Sequence, residues 1–113
     1  MRSATPVYSA FGADRELRAM VDEFVDHLPT RTEALRRASG AADLATICQE
    51  AQRLRGAGDR YGFEELAERA ASLEAACSEG SPEEQVAQSV RELLDLCARL
   101  RTGKSDRRRA DDK

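Results

Sequence analysis

No tryptophan occurs among these 113 residues, and there are only three Phe, two Tyr, three Pro and one His. A core must therefore be built from aliphatic side chains. Alternating runs of β-branched and aromatic residues are also missing, which argues against a sheet. No stretch approaches the roughly 20 apolar residues of a membrane span. The start, MRSATPVYSAFG, lacks the apolar centre of a secretory signal peptide. These absences predict a cytoplasmic protein with no membrane partner. Cysteine is scarce as well: Cys48, Cys77 and Cys97 are odd in number and widely spaced, which excludes a disulfide framework and a close-paired zinc site. Each lies among Leu and Ala at helical spacing and reads as a small buried hydrophobe. Positive charge has no excess. Lys plus Arg number 18 against 21 Asp plus Glu, a net charge of -3. No concentrated basic face, and so no nucleic-acid partner, is expected.

What is present favours helix. The hydrophobic fraction is 41% and the charged fraction 35%, dominated by Ala, Leu, Glu and Arg, which lose little side-chain freedom in a helix. The length suits one domain. Residues 1–12 read as an N-terminal tail, 13–102 as the folded unit, and 103–113 as a disordered charged tail. The run Arg107, Arg108 and Arg109, flanked by Asp106 and Asp111, reads as a solvated part of that tail.

Four helical segments are predicted. The first starts at Asp14, an N-cap, and carries Leu17, Met20, Val21, Phe24, Val25 and Leu28 on one face. Pro29 interrupts, at a cost of about 3 kcal/mol for an interior position. Leu35 keeps the phase, which favours one kinked helix to Ser39, ended by Gly40. The alternative is a break, with Thr30 and Glu33 forming a new capping box. The second helix spans 43–57 with Leu44, Ile47, Cys48, Ala51 and Leu54 inward, and Gly56, Gly58 and Gly62 marking the turn after it. The third spans 63–78, with Leu66, Ala67, Ala70, Leu73 and Cys77 inward. Ser81-Pro82-Glu83-Glu84 opens the fourth with a capping serine, a proline at the first helical position and a Glu at the third. Val86, Val90, Leu93, Leu94, Cys97 and Leu100 share its inner side, with Leu96 at the edge. Short connections between amphipathic helices predict an all-α, antiparallel up-and-down four-helix bundle.

Function is legible in one stretch, from Ala51 to Phe63. Gln52 sits at the edge of the apolar stripe, and Gly56 lies one turn further along the same face. A glycine inside a helix costs about 1 kcal/mol relative to alanine. Close approach of another molecule would explain it. So would a helix end, or tight packing of the third helix.

The residues Gln52-Arg53-Leu54-Arg55-Gly56, then Ala57-Gly58, then Tyr61-Gly62-Phe63, resemble the signature of histidine phosphotransfer (HPt) domains, His-x-Leu-Lys-Gly followed by small residues and a Gly. Leu54, Gly56 and Gly62 match, and Arg55 keeps the positive charge. The stretch from Phe24 to Arg31, with its proline, is similar to the family's first helix, and Glu65 to Glu68 with Leu73-Glu74 to the helix after the motif. The likeness covers roughly residues 14–102. It implies a bundle whose second helix displays a phosphoacceptor, and partners that are histidine kinases or response-regulator receiver domains.

The chain departs from the signature at the acceptor itself, where Gln52 stands for the histidine. A carboxamide donates and accepts hydrogen bonds, but its nitrogen is no nucleophile. His27 lies on the first helix, away from the motif, and reads as a boundary histidine. Glu64, Glu65 and Glu68, or Asp43 with Glu50, read as carboxylates of solvated faces, and no nucleophile–base grouping stands out. No catalytic residue, metal or cofactor is therefore expected. Two readings follow. One is a docking module without an acceptor, using Ala45, Cys48, Gln49, Arg55, Gly56, Asp59 and Phe63 around Gln52. It predicts an apolar patch of Ala45, Cys48 and Phe63 beside polar Gln52 and Arg55. The other is a helical scaffold or dimerisation module, with an apolar patch elsewhere or none. An ordinary phosphotransfer domain altered at this one position has the same sequence.

Overall fold

Asp14 starts the first helix as expected. Its carboxylate accepts hydrogen bonds from the amides of Glu16 (3.0 Å) and Leu17 (3.3 Å), which satisfies two N–H groups left without intrahelical partners. In the computed structural model, which describes residues 5–103, the helices are α1 (Arg15–Gly40), α2 (Leu44–Arg60), α3 (Glu64–Ser78) and α4 (Glu83–Arg99). Each packs on the next, and α4 returns to α1, closing the bundle. No helix among the described residues is long and apolar enough to cross a membrane.

Helix α1 runs through Pro29 without a break, so the capping box at Thr30 and Glu33 does not form. Leu28 and Leu35, on either side of the proline, are both in the core. Their burial holds one helix together against the lost backbone bond. Helix α2 ends three residues later than expected, at Arg60, and contains both Gly56 and Gly58. The turn lies instead at Tyr61–Gly62, where Gly62 has φ +78°, a conformation open to glycine at little cost. Helix α4 begins after Pro82, which takes the cap position. Ser81 does not cap it; its amide donates to the Ala76 carbonyl (3.0 Å) and so finishes α3.

The core is aliphatic, with Leu35, Leu54, Leu66, Leu73, Leu93 and Leu96 fully buried. Three inward assignments shift. Met20 and Leu44 are each 46% exposed. Leu96 is fully buried whereas Leu94 only borders the core. Helical period defines a stripe, and the angle at which neighbouring helices meet it selects which edge is covered.

The segment read as an N-terminal tail is tied down from Val7 onward. Val7–Tyr8 (β1) pairs in parallel with Leu100–Arg101 (β2) in the register Val7↔Leu100. The Ala10 amide donates to the Gly62 carbonyl (2.8 Å) and the Ser9 hydroxyl to the Tyr61 carbonyl (2.6 Å). Val7 and Phe11 pack against the core. Two residues per strand carry no readable alternation, so this pairing had no sequence signal. The charged stretch 104–113, including Arg107 to Arg109, lies outside the described residues.

Burial pushes the Cys97 thiol up to about 12 and, together with neighbouring Cys48, the Cys77 thiol up to about 11, from an ordinary 9.0. Ionisation is thus easier in the unfolded chain. Stability is fully present below about pH 9 and falls as pH rises through the folded values, because the native state then holds more protons. Urea denaturation from pH 8 to 11 is expected to show this decline, and Cys97→Ala is expected to flatten it. An identical slope in the variant would assign the decline to other groups.

Candidate docking site

Ala45, Gln49, Gln52, Gly56 and Asp59 recur at steps of four and three along α2, so they share one face. Ala45, Gln49, Gln52 and Asp59 are exposed and Gly56 is half-buried. The two glycines of α2 have opposite surroundings. A Cβ at Gly58 would stand 2.6 Å from the Ala67 amide nitrogen and 2.9 Å from the Phe63 carbonyl oxygen, so Gly58 admits the start of α3. A Cβ at Gly56 would meet none of the described residues within 4 Å. Helix packing therefore explains Gly58 and leaves Gly56 unexplained.

Cys48 and Arg55 lie on the flank of this face that borders α3. Cys48 is half-buried against the core. Arg55 Nε donates to Glu74 Oε1 at 2.7 Å. This hydrogen bond, together with the Glu74 charge, raises the Arg55 pKa, so the guanidinium stays charged but is already matched within the chain. Phe63 does not belong to the surface. It is 1% exposed, with its ring 6.1 Å from that of Phe24. As the residue that caps α3, it points into the bundle end that the short α2–α3 turn closes. The expected apolar patch therefore lacks its largest member. Leu44, one turn before Cys48, supplies exposed apolar surface at the start of α2 instead.

The other flank, facing α1, holds residues the sequence did not single out. Arg31 of α1 joins Arg53 and Arg60 of α2 around an open groove of about 500 Å³, with Gln52, Gly56 and Tyr61 also lining it. Arg53 is held by Glu50, Nη1 to Oε2 at 3.3 Å, and Glu50 is only 8% exposed. The Arg60 guanidinium stands 5.8 Å from the centre of the Tyr61 ring, which stacks on Phe24 at 4.7 Å. Arg53 and Arg60 are seven apart, two helical turns, and that spacing was available in the sequence. Arg31 arrives only through the packing of α1 on α2. His27 is exposed on α1, its Nδ1 2.8 Å from the Glu23 carbonyl oxygen. Among the described residues no three His, Cys, Asp or Glu side chains gather as a metal site requires.

The structure is thus a four-helix bundle with an open polar face at the middle of its second helix. The chain belongs to the Hpt domain family, whose model matches residues 19–103. Members of that family are phosphotransfer carriers rather than classical enzymes, and they interact with histidine kinases and response regulators, so the chain's role is phosphorelay-related. Comparison with curated proteins and with solved structures returns no match.

Proposed function

We propose that this chain docks a response-regulator receiver, or a histidine kinase, through the open face of α2 and accepts no phosphate there. It acts as an adaptor or regulator of a two-component pathway in the cytoplasm. Gly56 carries the reading. It keeps open the space one turn beyond exposed Gln52, and no packing need among the described residues accounts for it. Gln52 stands where the resemblance puts the acceptor, and its carboxamide makes hydrogen bonds without forming a phosphoramidate. Ala45, Gln49 and Asp59 complete the face, with Cys48 and Arg55 at its α3 edge.

The test compares the native protein with Gln52→His against the receiver domains of the same cell, reading binding and phosphoryl transfer separately. The native protein is expected to bind one receiver and take no label, and Gln52→His to bind and become labelled. Labelling of the native protein would overturn the missing acceptor. Absence of binding by both forms would favour a helical scaffold, for which Met20 of α1 and Tyr8 of β1 offer exposed apolar surface outside α2.

A further inference from the structure

We infer that the groove between α1 and α2 is an oxyanion site, and that it holds the phosphoryl group of a phosphorylated receiver docked on α2. The inference rests on the docking reading above and adds a preference between two states of the partner.

Three arginines line one groove beside Gln52, and none of the described residues lining it is acidic. The chain as a whole carries a net charge of -3, so this concentration runs against its average. The arginines are held differently, which favours a built arrangement over a solvated fringe. Arg53 is anchored through Nη1 by the buried carboxylate of Glu50, which partly offsets its charge, but at 56% side-chain exposure its other N–H groups can still donate outward. Arg60 is braced near the Tyr61 ring, itself fixed by its stack on Phe24. Arg31, half-buried, has no acidic partner among the described residues. Arg55, the cation that the motif itself would suggest, is taken up by Glu74 on the opposite flank.

Guanidinium groups suit phosphoryl oxygens because their planar N–H forks donate two bonds at once. Gln52 adds a carboxamide N–H₂ donor at the groove's edge. A phosphoryl group placed there is bound and not transferred: no bond forms to the chain, and the aspartyl phosphate stays on the partner. The groove also opens beside Gly56, where the absent side chain lets a partner's backbone come close. The chain thereby senses whether its partner is phosphorylated and retains that form.

Two measurements on the full chain test this. In the first, inorganic phosphate is titrated at constant ionic strength while the side-chain N–H resonances of Arg31, Arg53, Arg60 and Gln52 are followed. Saturable shifts confined to this group are expected. Shifts spread over all arginines, or none, would overturn the site. In the second, a receiver that binds the chain is compared with and without beryllium fluoride, which mimics aspartyl phosphate. The fluoride-loaded form is expected to bind about tenfold more tightly, the change one added charge-assisted contact brings. The double variant Arg31→Gln/Arg60→Gln is expected to bring that ratio to about one, and Arg31→Lys/Arg60→Lys to restore only part of it, since the charge is kept but the two-pronged donor is lost. Equal affinity for the two forms in the native protein would sink this inference and leave docking intact. Binding of neither form would sink both.

Discussion

Replacing Phe63 by alanine is expected to destabilise the protein by about 3–5 kcal/mol, the range for removing a buried ring. The ring is 1% exposed and packs near Phe24, which in turn stacks on Tyr61 at 4.7 Å. Truncation would leave a cavity where α1 meets the α2–α3 turn, and the backbone there is pinned. Ala10 and Ser9 hydrogen-bond to Gly62 and Tyr61, so the site has little freedom to collapse. Urea unfolding with an unchanged slope and a lower midpoint would record the loss. A surface residue would cost at most about 0.5 kcal/mol. A loss that small would return Phe63 to the docking face.

Leucine at Gly58 and leucine at Gly56 are expected to act in opposite ways, although the two positions are two residues apart. At Gly58 even a Cβ would stand 2.6 Å from a backbone nitrogen of α3. Backbone cannot turn aside as a side chain can, so Gly58→Leu is expected to cost about 3 kcal/mol or to part α3 from α2. At Gly56 the space is open. Gly56→Leu is expected to leave stability unchanged or to raise it by roughly 0.5–1 kcal/mol, through better helix propensity. The same change places a bulky side chain beside Gln52, and receiver affinity is expected to fall about tenfold or more. Thermal unfolding and calorimetric titration of the two variants separate the effects. A Gly56→Leu protein that binds its receiver with native affinity would move the docking face elsewhere.

These two predictions mark the boundary between what could be read and what could not. The motif holds Gly56, Gly58 and Gly62 in close succession, and together they read as a turn. Only Gly62 turns the chain; Gly58 is a contact and Gly56 an opening. One residue type serves three physical ends here, and the difference lies in what approaches each from other helices. Phe63 suffered the same ambiguity. A large ring at a helix start suits an interface or a core, and the choice depends on which way the preceding turn carries it.

Periodicity settled much else. The order of the four helices, the Asp14 cap, most of the buried leucines and the exposure of Gln52 follow from side chains recurring every three to four residues, because helical geometry converts spacing into a face without reference to the rest of the molecule. Tertiary structure alone decided the matters that join distant residues. It set the pairing of Val7–Tyr8 with Leu100–Arg101, the engagement of Arg55 by Glu74 and the meeting of Arg31 with Arg53 and Arg60. No local pattern encodes which helix lies beside which flank. That follows from how four apolar stripes close on one another, and it placed three arginines on the side of Gln52 that the motif does not mark.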